Sequence, residues 1–549
     1  MAQKTLTWTP IGGLGEVGKN MMAFEYNDAI LIVDTGIMFP ESDMFGIDAV
    51  IPDYTWLKEK RDKIKGIVIT HGHEDHTGAV AYVVKEFPGL PIYATPLTRG
   101  LLEVKLREAK ALDRATLNTV PVDGSAQIGP FKIEFFRMCH SIPDNVGLGI
   151  TTPVGLIVHS GDFKFDHTPV DGLTSDFAKL AEFAGRGVLA LFSDSTNAEN
   201  PGITPSEREI EPALELVFRD AEGRIIVATF ASLISRIQQV ANICQIYGRK
   251  LAFAGTSMVE NVKMAQKMGY LQLPEGLVVK LEETNKMDPA TVCIMATGSQ
   301  GEPSAVLGRI AMGRHQVINA QPGDTYVLSA HPIPGNEEAI HRIINRLFQK
   351  GANVIYPQLA RVHVSGHASQ EEQKLLLSLL RPKFFIPIHG ELRMLNAHKR
   401  LAQSLGIPSS NIFVGENGTP IEFTSTSATQ LERMPGGYVF VDGSGVGDIG
   451  PVVLKDREAL ARDGFVLVIV RRDEKGGLRE NPEIITRGFV YMKEAEELIK
   501  AMSEAAGKEL SNITASTSTD AIRSRVGEAA GKFIANETRR RPMLITVVA

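Results

Sequence analysis

Cysteine is scarce in this chain. Cys139, Cys244 and Cys293 are its only three among 549 residues, and no two form a Cys-x-x-Cys pair. That count excludes a disulfide framework and a thiolate zinc finger, and an odd number of thiols suits a reducing compartment. Long hydrophobic runs are missing too. No apolar stretch approaches the ~18 residues that span a bilayer, and the opening MAQKTLTWTP has no apolar signal core. A cytoplasmic protein without a membrane segment is expected. Positive charge is not in excess: 58 Lys+Arg against 64 Asp+Glu leave a formal net charge of −6. Proteins that coat nucleic acid without preference are usually basic. Any nucleic-acid contact here must come from a local groove or from bound metal. Repeats and low-complexity tracts are absent, and 43% hydrophobic with 22% charged residues is ordinary globular usage. At ~150 residues per domain, three or four domains are expected.

What the chain has in quantity is alternation. Short apolar, β-branched runs at Ala29–Val33, Gly66–Thr70, Gly155–Val158, Val188–Phe192, Ile225–Ala228, Thr291–Ala296 and Phe384–Ile388 are separated by helix-like stretches. This predicts an α/β protein with covered sheets. Alternating runs at Lys19–Tyr26 and Phe131–Phe136 point to mixed rather than purely parallel pairing. A helix is expected to open near Pro201–Pro205, with Thr204 as cap, Pro205 in the first turn and Glu207 three residues beyond the cap. Strand-like sequence resumes near Gly351–Pro357. The Gly-rich stretch from Gly436 reads as a linker over 436–463. Residues 464–549 read as a separate α/β unit: strands Phe465–Val470 and Ile484–Tyr491, helices Lys493–Lys508 and Asp520–Ile534, and strand Met543–Val548.

The strongest chemical signal is Thr70-His71-Gly72-His73-Glu74-Asp75-His76, directly after the apolar run GIVI. Four potential ligands this close can converge only in a loop, where Gly72 relieves crowding. Nitrogen and oxygen donors without thiolate suit zinc, or manganese at the same geometry. Asp34, His140, Asp162, Asp194 and His389 each follow another strand-like run. Strand ends of an α/β sheet gather along one edge, so these residues are expected around the histidine cluster. The inventory fits two cations about 3.5–4 Å apart. His71, His73 and His140 would hold one, and Asp75, His76 and His389 the other. Asp162 would bridge them, and Asp34 would orient a ligand histidine from behind. The expected cofactors are two Zn²⁺, with Mn²⁺ or Mg²⁺ able to support activity. A hydroxide shared by the pair would attack phosphorus. Gly13-Leu14-Gly15-Glu16-Val17-Gly18 satisfies G-x-G-x-x-G, but a strand rather than a helix should follow, so it reads as a glycine loop near a cleft and not as a dinucleotide site. Arg539-Arg540-Arg541 reads as a solvated helix end, and Cys139 as a packed side chain.

H-x-H-x-D-H with downstream His, Asp and His resembles the metallo-β-lactamase superfamily, which implies an αββα sandwich. The roughly 150 residues between the Asp194 region and the returning strands resemble the β-CASP insertion of its nucleic-acid-processing branch. Asp194 in SDSTN, His367 in HVSGHAS and His389 in IPIHGE match that branch's three motifs, and histidine at the third is the RNA-type residue. The phrases GGLGEVGKN, ATGSQGEP, HPIPGNE and DGSGVGDIG extend the resemblance, from about residue 5 to the end, to the bacterial ribonuclease J family. The resemblance implies a metallo-β-lactamase domain in two parts, 1–202 and 356–435, a β-CASP domain at 203–355, and a C-terminal domain at 464–549. It implies a 5′→3′ exoribonuclease that prefers 5′-monophosphate ends, with endonuclease capacity, acting in mRNA decay and RNA maturation, including that of rRNA. It also implies a homodimer or homotetramer, single-stranded RNA as substrate and RNA-decay proteins as further partners.

His367 is the candidate acid for the leaving 3′-oxygen, since imidazole carries a proton near neutral pH. Asp194 and Asp75 stand beside it as catalytic carboxylates. Ser365, Gly366, His367, Ala368 and Ser369 open the helix that begins QEEQKLLLSLL, with Ser369 and Glu372 forming a capping box. Its N–H groups are expected to cradle the 5′-phosphate. His363, His331 and Ser329 are candidate RNA contacts, as are Ser299 and Glu302. Three other readings remain open: a thioester or lactam hydrolase on the same scaffold, a non-catalytic RNA-binding scaffold subunit, and a DNA nuclease.

Overall fold

The computed structural model describes residues 4–41, 43–434, 436–472, 481–490, 496–510, 514 and 516–549. The chain divides into two compact units, one formed by Met1–Phe39 and Val50–Val439, the other by Pro40–Ala49 and Phe440–Ala549.

In the first unit two sheets face each other. The eight-stranded sheet runs Ala428–Gln430, Ile421–Phe423, Leu6–Gly12, Met21–Tyr26, Ala29–Val33, Ile64–Val68, Pro91–Ala94, Thr116–Thr119. The six-stranded sheet runs Phe384–Ile388, Val188–Asp194, Leu156–His159, Val146–Thr151, Phe131–Arg137, Ser125–Ile128. Trp8 and Phe24 of the first sheet pack on Phe192 of the second, with ring centroids 4.9 and 5.4 Å apart. Apolar side chains from both inner faces fill this layer, and their removal from water stabilises the sandwich. Helices Phe177–Arg186, Gln370–Leu380 and Leu392–Ser404 cover the outer face of the six-stranded sheet over Val158, Leu191 and Phe385. Helix Pro96–Glu108 packs by the edge of the eight-stranded sheet. The architecture is the αββα sandwich, with the mixed pairing that the alternating runs predict.

Parallel register brings the strand ends together. Val33 lies opposite Val68, so Asp34 and the loop after Val68 share one edge. His159 lies opposite Phe192, and Asp194 opposite Ile388, so Asp162, Asp194 and His389 share the other.

The insertion is a five-stranded parallel sheet, ordered Lys250–Ala254, Val292–Ala296, Ile225–Ala228, Thr325–Leu328, Asn353–Ile355. Buried apolar clusters cover both of its faces, which accounts for strands such as IIVA and VCIMA being apolar throughout. Thr204 does not cap the helix that follows it. Ser206 caps the turn Glu207–Ile210, while the Thr204 hydroxyl donates to the His367 carbonyl at 2.7 Å. The side chain is drawn to a tertiary acceptor that local pattern does not reveal.

In the second unit, the three-stranded sheet runs Glu483–Arg487, Phe465–Val470, Met543–Val548. Val466, Val468 and Val470 face inward against helices Glu496–Leu510 and Thr519–Thr538. The expected strand end at Tyr491 and helix start at Lys493 lie outside the described residues. The segment 436–463 is not a plain linker: it contains strand Tyr438–Asp442 and the 13-residue helix Pro451–Asp463. Its glycines end at Gly450, and PVVLKDREALARD that follows is a good helix former with proline in its first turn. Arg539 closes helix Thr519–Thr538 in the left-handed region, and Arg540 donates to the Phe489 carbonyl at 2.8 Å, so the triplet is not merely solvated. Among the described residues no helix is long and apolar enough to cross a membrane.

The capping box of Ser369 and Glu372 is present, and Glu372 does more than cap. Its buried carboxylate accepts the backbone N–H groups of Phe165 at 2.7 Å, Thr204 at 2.7 Å and Ser369 at 2.9 Å. Three distant segments therefore meet at one side chain. Glu372→Ala leaves three buried N–H groups without an acceptor, at about 1–3 kcal/mol each. The expected outcome is a loss of at least about 3 kcal/mol in stability, read as a lowered urea midpoint.

Candidate metal centre

His71 and Gly72 follow the Ile64–Val68 strand, and Glu74–Thr77 forms one helical turn that carries Asp75 and His76 inward. Gly72 has a steric reason: a Cβ there would lie 2.3 Å from Leu101 Cδ1. Asp34 and His389 leave their strands at positive φ, +62° and +55°, a conformation uncommon for residues with a Cβ. It turns both side chains back over the sheet edge.

Two donor sets flank the strand ends, and a third group, Asp162, Asp194, His367 and His389, overlaps the second. His71, His73 and His140 form the first, and Asp75, His76, Asp162 and His389 the second. In the first, His73 Nδ1 lies 3.1 Å from both His71 Nε2 and His140 Nε2. Three imidazole nitrogens so arranged fit a tetrahedral zinc site, whose ligand nitrogens stand roughly 3.3 Å apart at bond lengths of about 2.0–2.1 Å. Burial pushes His73 down to about 4, and burial with neighbouring histidines holds His71 and His140 well below the ordinary imidazole value. All three are neutral, the state that can donate a lone pair.

Asp162 lies between the sets. Its Oδ2 is 3.2 Å from His76 Nε2 and 3.4 Å from His389 Nε2, and 3.7 and 3.8 Å from His71 Nε2 and His140 Nε2. His389 Nε2 also contacts Asp75 Oδ2 at 3.1 Å. Burial lowers the proton affinity of His76 and His389, but the surrounding carboxylates outweigh it. Asp162, Asp75 and Asp34 hold His76 well above its ordinary value, and Asp162, Asp75 and Asp194 hold His389 at about 9. Positive charge is thus favoured in this half of the site, which a divalent cation can supply in place of protons.

Four of the five rings, those of His71, His76, His140 and His389, are held from behind, which selects the nitrogen that faces inward. Asp34 Oδ2 takes His76 Nδ1 at 2.8 Å, and the same carboxylate accepts the Thr70 N–H at 2.8 Å. The Gly366 carbonyl takes His140 Nδ1 at 2.7 Å. Thr196 Oγ1 meets His389 Nδ1 at 2.7 Å, and Thr70 Oγ1 meets His71 Nδ1 at 3.1 Å. Such outer bonds fix tautomer and ring orientation. The donor set, its burial and its outer bonds all fit two bound cations.

Beside the second set, His367 Nδ1 is 2.8 Å from Asp194 Oδ2, leaving Nε2 toward the cleft that His367 lines. Asp194 also accepts from Thr196 Oγ1 at 2.8 Å. Asp194 therefore fixes the Nδ1 side of the His367 ring while standing among the candidate ligands itself. The cleft, about 520 Å³, runs between the sandwich and the insertion, and Ser365, Gly366, His331 and His363 line it. The His331 and His363 rings meet edge to face at 4.8 Å.

Other expectations need correction. The helix N-terminus after Ser369 is not open to an anion. The Ser369, Gln370 and Glu371 N–H groups go to Glu372, Asn200 and Gly202, the Ser369 hydroxyl to Thr204, and Ala368 is fully buried. Of that run Ser365, Gly366 and His367 line the cleft, and Ser369 lines, with Ser365, the adjoining pocket beside Asn200 and Thr204. Ser329 is 0% exposed and bonds Arg236 and the Val362 carbonyl inside the insertion, so it cannot touch RNA. Ser299 is also buried, and the carboxyl of Glu302, raised by burial, keeps one oxygen out of solvent and unpartnered.

Three residues were not marked by the sequence. Asn20 places its Nδ2 3.0 Å from the Asp75 carbonyl and 3.2 Å from His76 Nε2. Thr196 holds both Asp194 and His389, and Asn197 donates to Ser365 Oγ at 2.8 Å and to the His367 carbonyl at 2.9 Å. All three lie inside phrases already singled out, Asn20 closing GGLGEVGKN and Thr196 and Asn197 closing SDSTN, but nothing in those phrases gave them a role. The glycine loop itself bears no dinucleotide helix: strand Met21–Tyr26 follows it, and Gly15 donates to the Gly390 carbonyl at 3.0 Å, beside His389.

Comparison with known proteins agrees with this geometry. The metallo-beta-lactamase superfamily matches residues 14–198, the ribonuclease J beta-CASP domain residues 222–347, the Zn-dependent metallo-hydrolase RNA specificity domain residues 354–413, and the ribonuclease J C-terminal domain residues 452–549. Ribonuclease J of Synechocystis sp. is 44% identical, covering 100% of this chain and 88% of the relative. Ribonuclease J of Thermus thermophilus is 44% identical, covering 98% and 94%, and ribonuclease J 1 of Streptococcus pyogenes 42% identical, covering 98% and 96%. A solved structure of a protein of unknown function from Enterococcus faecalis V583 shares the fold, at TM-score 0.54 and 16% identity over 77% of this chain and 100% of that one. With matching domains in order and relatives of this identity along its whole length, the chain belongs to the ribonuclease J family.

Proposed function

We propose that this chain is a metal-dependent ribonuclease that hydrolyses RNA phosphodiester bonds. It works from a 5′-monophosphate end toward the 3′ end and retains endonucleolytic capacity. The observation that carries the reading is the pair of buried donor sets joined at Asp162, opening beside His367 onto a cleft between sandwich and insertion. A non-catalytic scaffold has no use for converging, separately oriented imidazoles. A thioester or lactam hydrolase has no use for an inserted domain that walls one side of the cleft. The family relatives named ribonuclease J favour RNA over DNA.

His71, His73 and His140 would hold one cation, and Asp75, His76 and His389 the other, with Asp162 shared. Zinc suits these donors, and manganese or magnesium can support activity. Bound there, two divalent cations polarise water and take up charge on the phosphate oxygens. The chain's own groups do the rest. His367 donates a proton to the leaving 3′-oxygen from Nε2, with Asp194 fixing Nδ1. Burial lowers its proton affinity, but Asp194 and Asp162 outweigh burial and hold it above the ordinary imidazole value. That direction favours the protonated form an acid needs. Ser365 and Gly366, steadied by Asn197, receive the 5′-phosphate. Phe39 and Phe230 line the cleft and offer surfaces on which bases can stack. Residues 1–202 and 356–435 form the catalytic core, 203–355 the β-CASP domain and 464–549 the C-terminal domain. Assembly as a homodimer or homotetramer in the cytoplasm, with RNA-decay proteins as partners, completes the reading.

The decisive test offers single-stranded RNA, labelled at its 3′ end, with 5′-monophosphate, 5′-triphosphate or 5′-hydroxyl. Rapid loss of the monophosphate substrate with Mn²⁺, abolished by chelator and in His76→Ala, is expected. Binding without cleavage under every metal condition would move the reading to a scaffold. For the role of Asp34, Asp34→Ala is expected to weaken binding of the second cation about 10–100-fold, as measured by competition with a chromophoric chelator. The acid assignment predicts a pH profile whose alkaline limb marks deprotonation of His367. Removing the Asp194 charge lowers that proton affinity, so Asp194→Asn shifts the limb to lower pH. An unmoved limb assigns the proton elsewhere.

A further inference from the structure

The insertion leaves the sandwich through Thr204–Glu207 and returns through Val362–Ser365. Both connecting segments, neither of them a strand, run past one buried guanidinium, that of Arg236 on helix Ile234–Ile246, which is 1% exposed. Arg236 Nη2 donates to Glu207 Oε2 at 2.8 Å, on the outgoing segment. Nη1 donates to the Val362 carbonyl at 3.0 Å, on the returning segment, and to Ser329 Oγ at the end of strand Thr325–Leu328. Nε donates to Gln239 Oε1 at 3.0 Å, and Gln239 Nε2 closes the ring onto the Glu207 carbonyl at 3.0 Å. Ser329 Oγ itself donates to the Val362 carbonyl at 2.7 Å.

This network lies outside the cleft, yet what it grips leads straight in. His363 follows Val362 at once. Ser365, Gly366 and His367 come next, and the Gly366 carbonyl fixes His140. On the outgoing side, Thr204 holds the His367 carbonyl. A planar guanidinium can serve several acceptors in fixed directions, as an ammonium cannot.

We propose that Arg236 is a positioning residue for RNA. By binding outgoing and returning segments together, it sets the insertion against the sandwich and so fixes the spacing between the phosphate-receiving turn and the metal centre. The proposal rests on the ribonuclease reading. Arg236 touches neither substrate nor metal. A small diester, whose p-nitrophenolate leaves without an acid and which touches only the metal centre, should sense it much less than RNA that spans the cleft.

The test compares wild type, Arg236→Lys, Arg236→Met and the double variant Arg236→Met/Glu207→Met. KM and kcat are measured on 5′-monophosphate RNA, turnover on bis(p-nitrophenyl) phosphate with Mn²⁺, and Tm on each protein. Arg236→Met is expected to raise KM for RNA about tenfold and to leave kcat/KM for the small diester within about twofold. Arg236→Lys should fall between. Arg236→Met strands the buried Glu207 carboxylate and lowers Tm. The double variant replaces the buried pair with apolar side chains, a change that often restores stability. Recovered Tm with KM for RNA still raised supports positioning. Equal losses on both substrates, or recovery of KM together with Tm, overturn it and leave Arg236 a structural residue only. If wild type cleaves no RNA, the ribonuclease reading fails by itself. RNA affinity measured by fluorescence anisotropy in chelator then decides the positioning proposal by the same comparison.

Discussion

Lone pairs that face one another in a buried place are costly, and the centre of this protein collects many. Around Asp162 Oδ2 stand four imidazole nitrogens within 3.2–3.8 Å. Carboxylates and imidazoles gathered this tightly repel or trade protons until a cation enters. The surrounding fold exists in part to hold that arrangement against its own repulsion. The parallel register of Val33 with Val68, and of Asp194 with Ile388, sets the strand ends side by side. The positive φ of Asp34 and His389 turns their side chains inward. Cations bound there lower the energy of the folded state alone, so metal binding and folding are linked.

The same logic accounts for the ring of outward bonds. Asp34, Thr70, Thr196 and the Gly366 carbonyl each take the far nitrogen of one histidine. Without them a ring could rotate and present N–H where a lone pair is needed. Asp194 repeats the device on His367, where burial lowers the proton affinity but the neighbouring carboxylates outweigh it and raise it. One structural idea, a fixed far nitrogen, thus serves both the ligand histidines and the His367 ring, whose centroid lies 4.9 Å from that of His140. Neighbouring charge separates the two uses.

Much of this was legible in the chain. Strand-end aspartates and histidines can be picked out because apolar runs precede them, and a parallel sheet must bring such ends together. The capping box at Ser369 and Glu372 could be read from four letters. What could not be read depends on partners remote in sequence. Thr204 looks like a cap and instead serves His367, 163 positions on. Ser329 follows a strand as Asp162 does, but its strand ends inside the insertion, on Arg236. The phosphate-cradling helix start failed for the same reason: Asn200 and Gly202 occupy N–H groups that local pattern leaves free. The segment 436–463 misled through its glycines, which stop before Pro451, where helix-forming residues take over. Asn20 and Thr196 carry no residue-type signal and are found only by geometry.

The six-stranded sheet has a consequence for synthesis on the ribosome. Val188–Asp194 pairs with Phe384–Ile388, yet the whole insertion is made between them. At about 5–20 residues per second the first strand waits on the order of 10–40 s for its neighbour. Through that interval VLALFS stands as an unpaired apolar edge, the kind of surface that recruits other chains. The insertion's sheet draws only on residues between Ile225 and Ile355, so it can close while the sandwich is still open. Nascent chains are therefore most prone to aggregate during this wait, before the last strand has emerged.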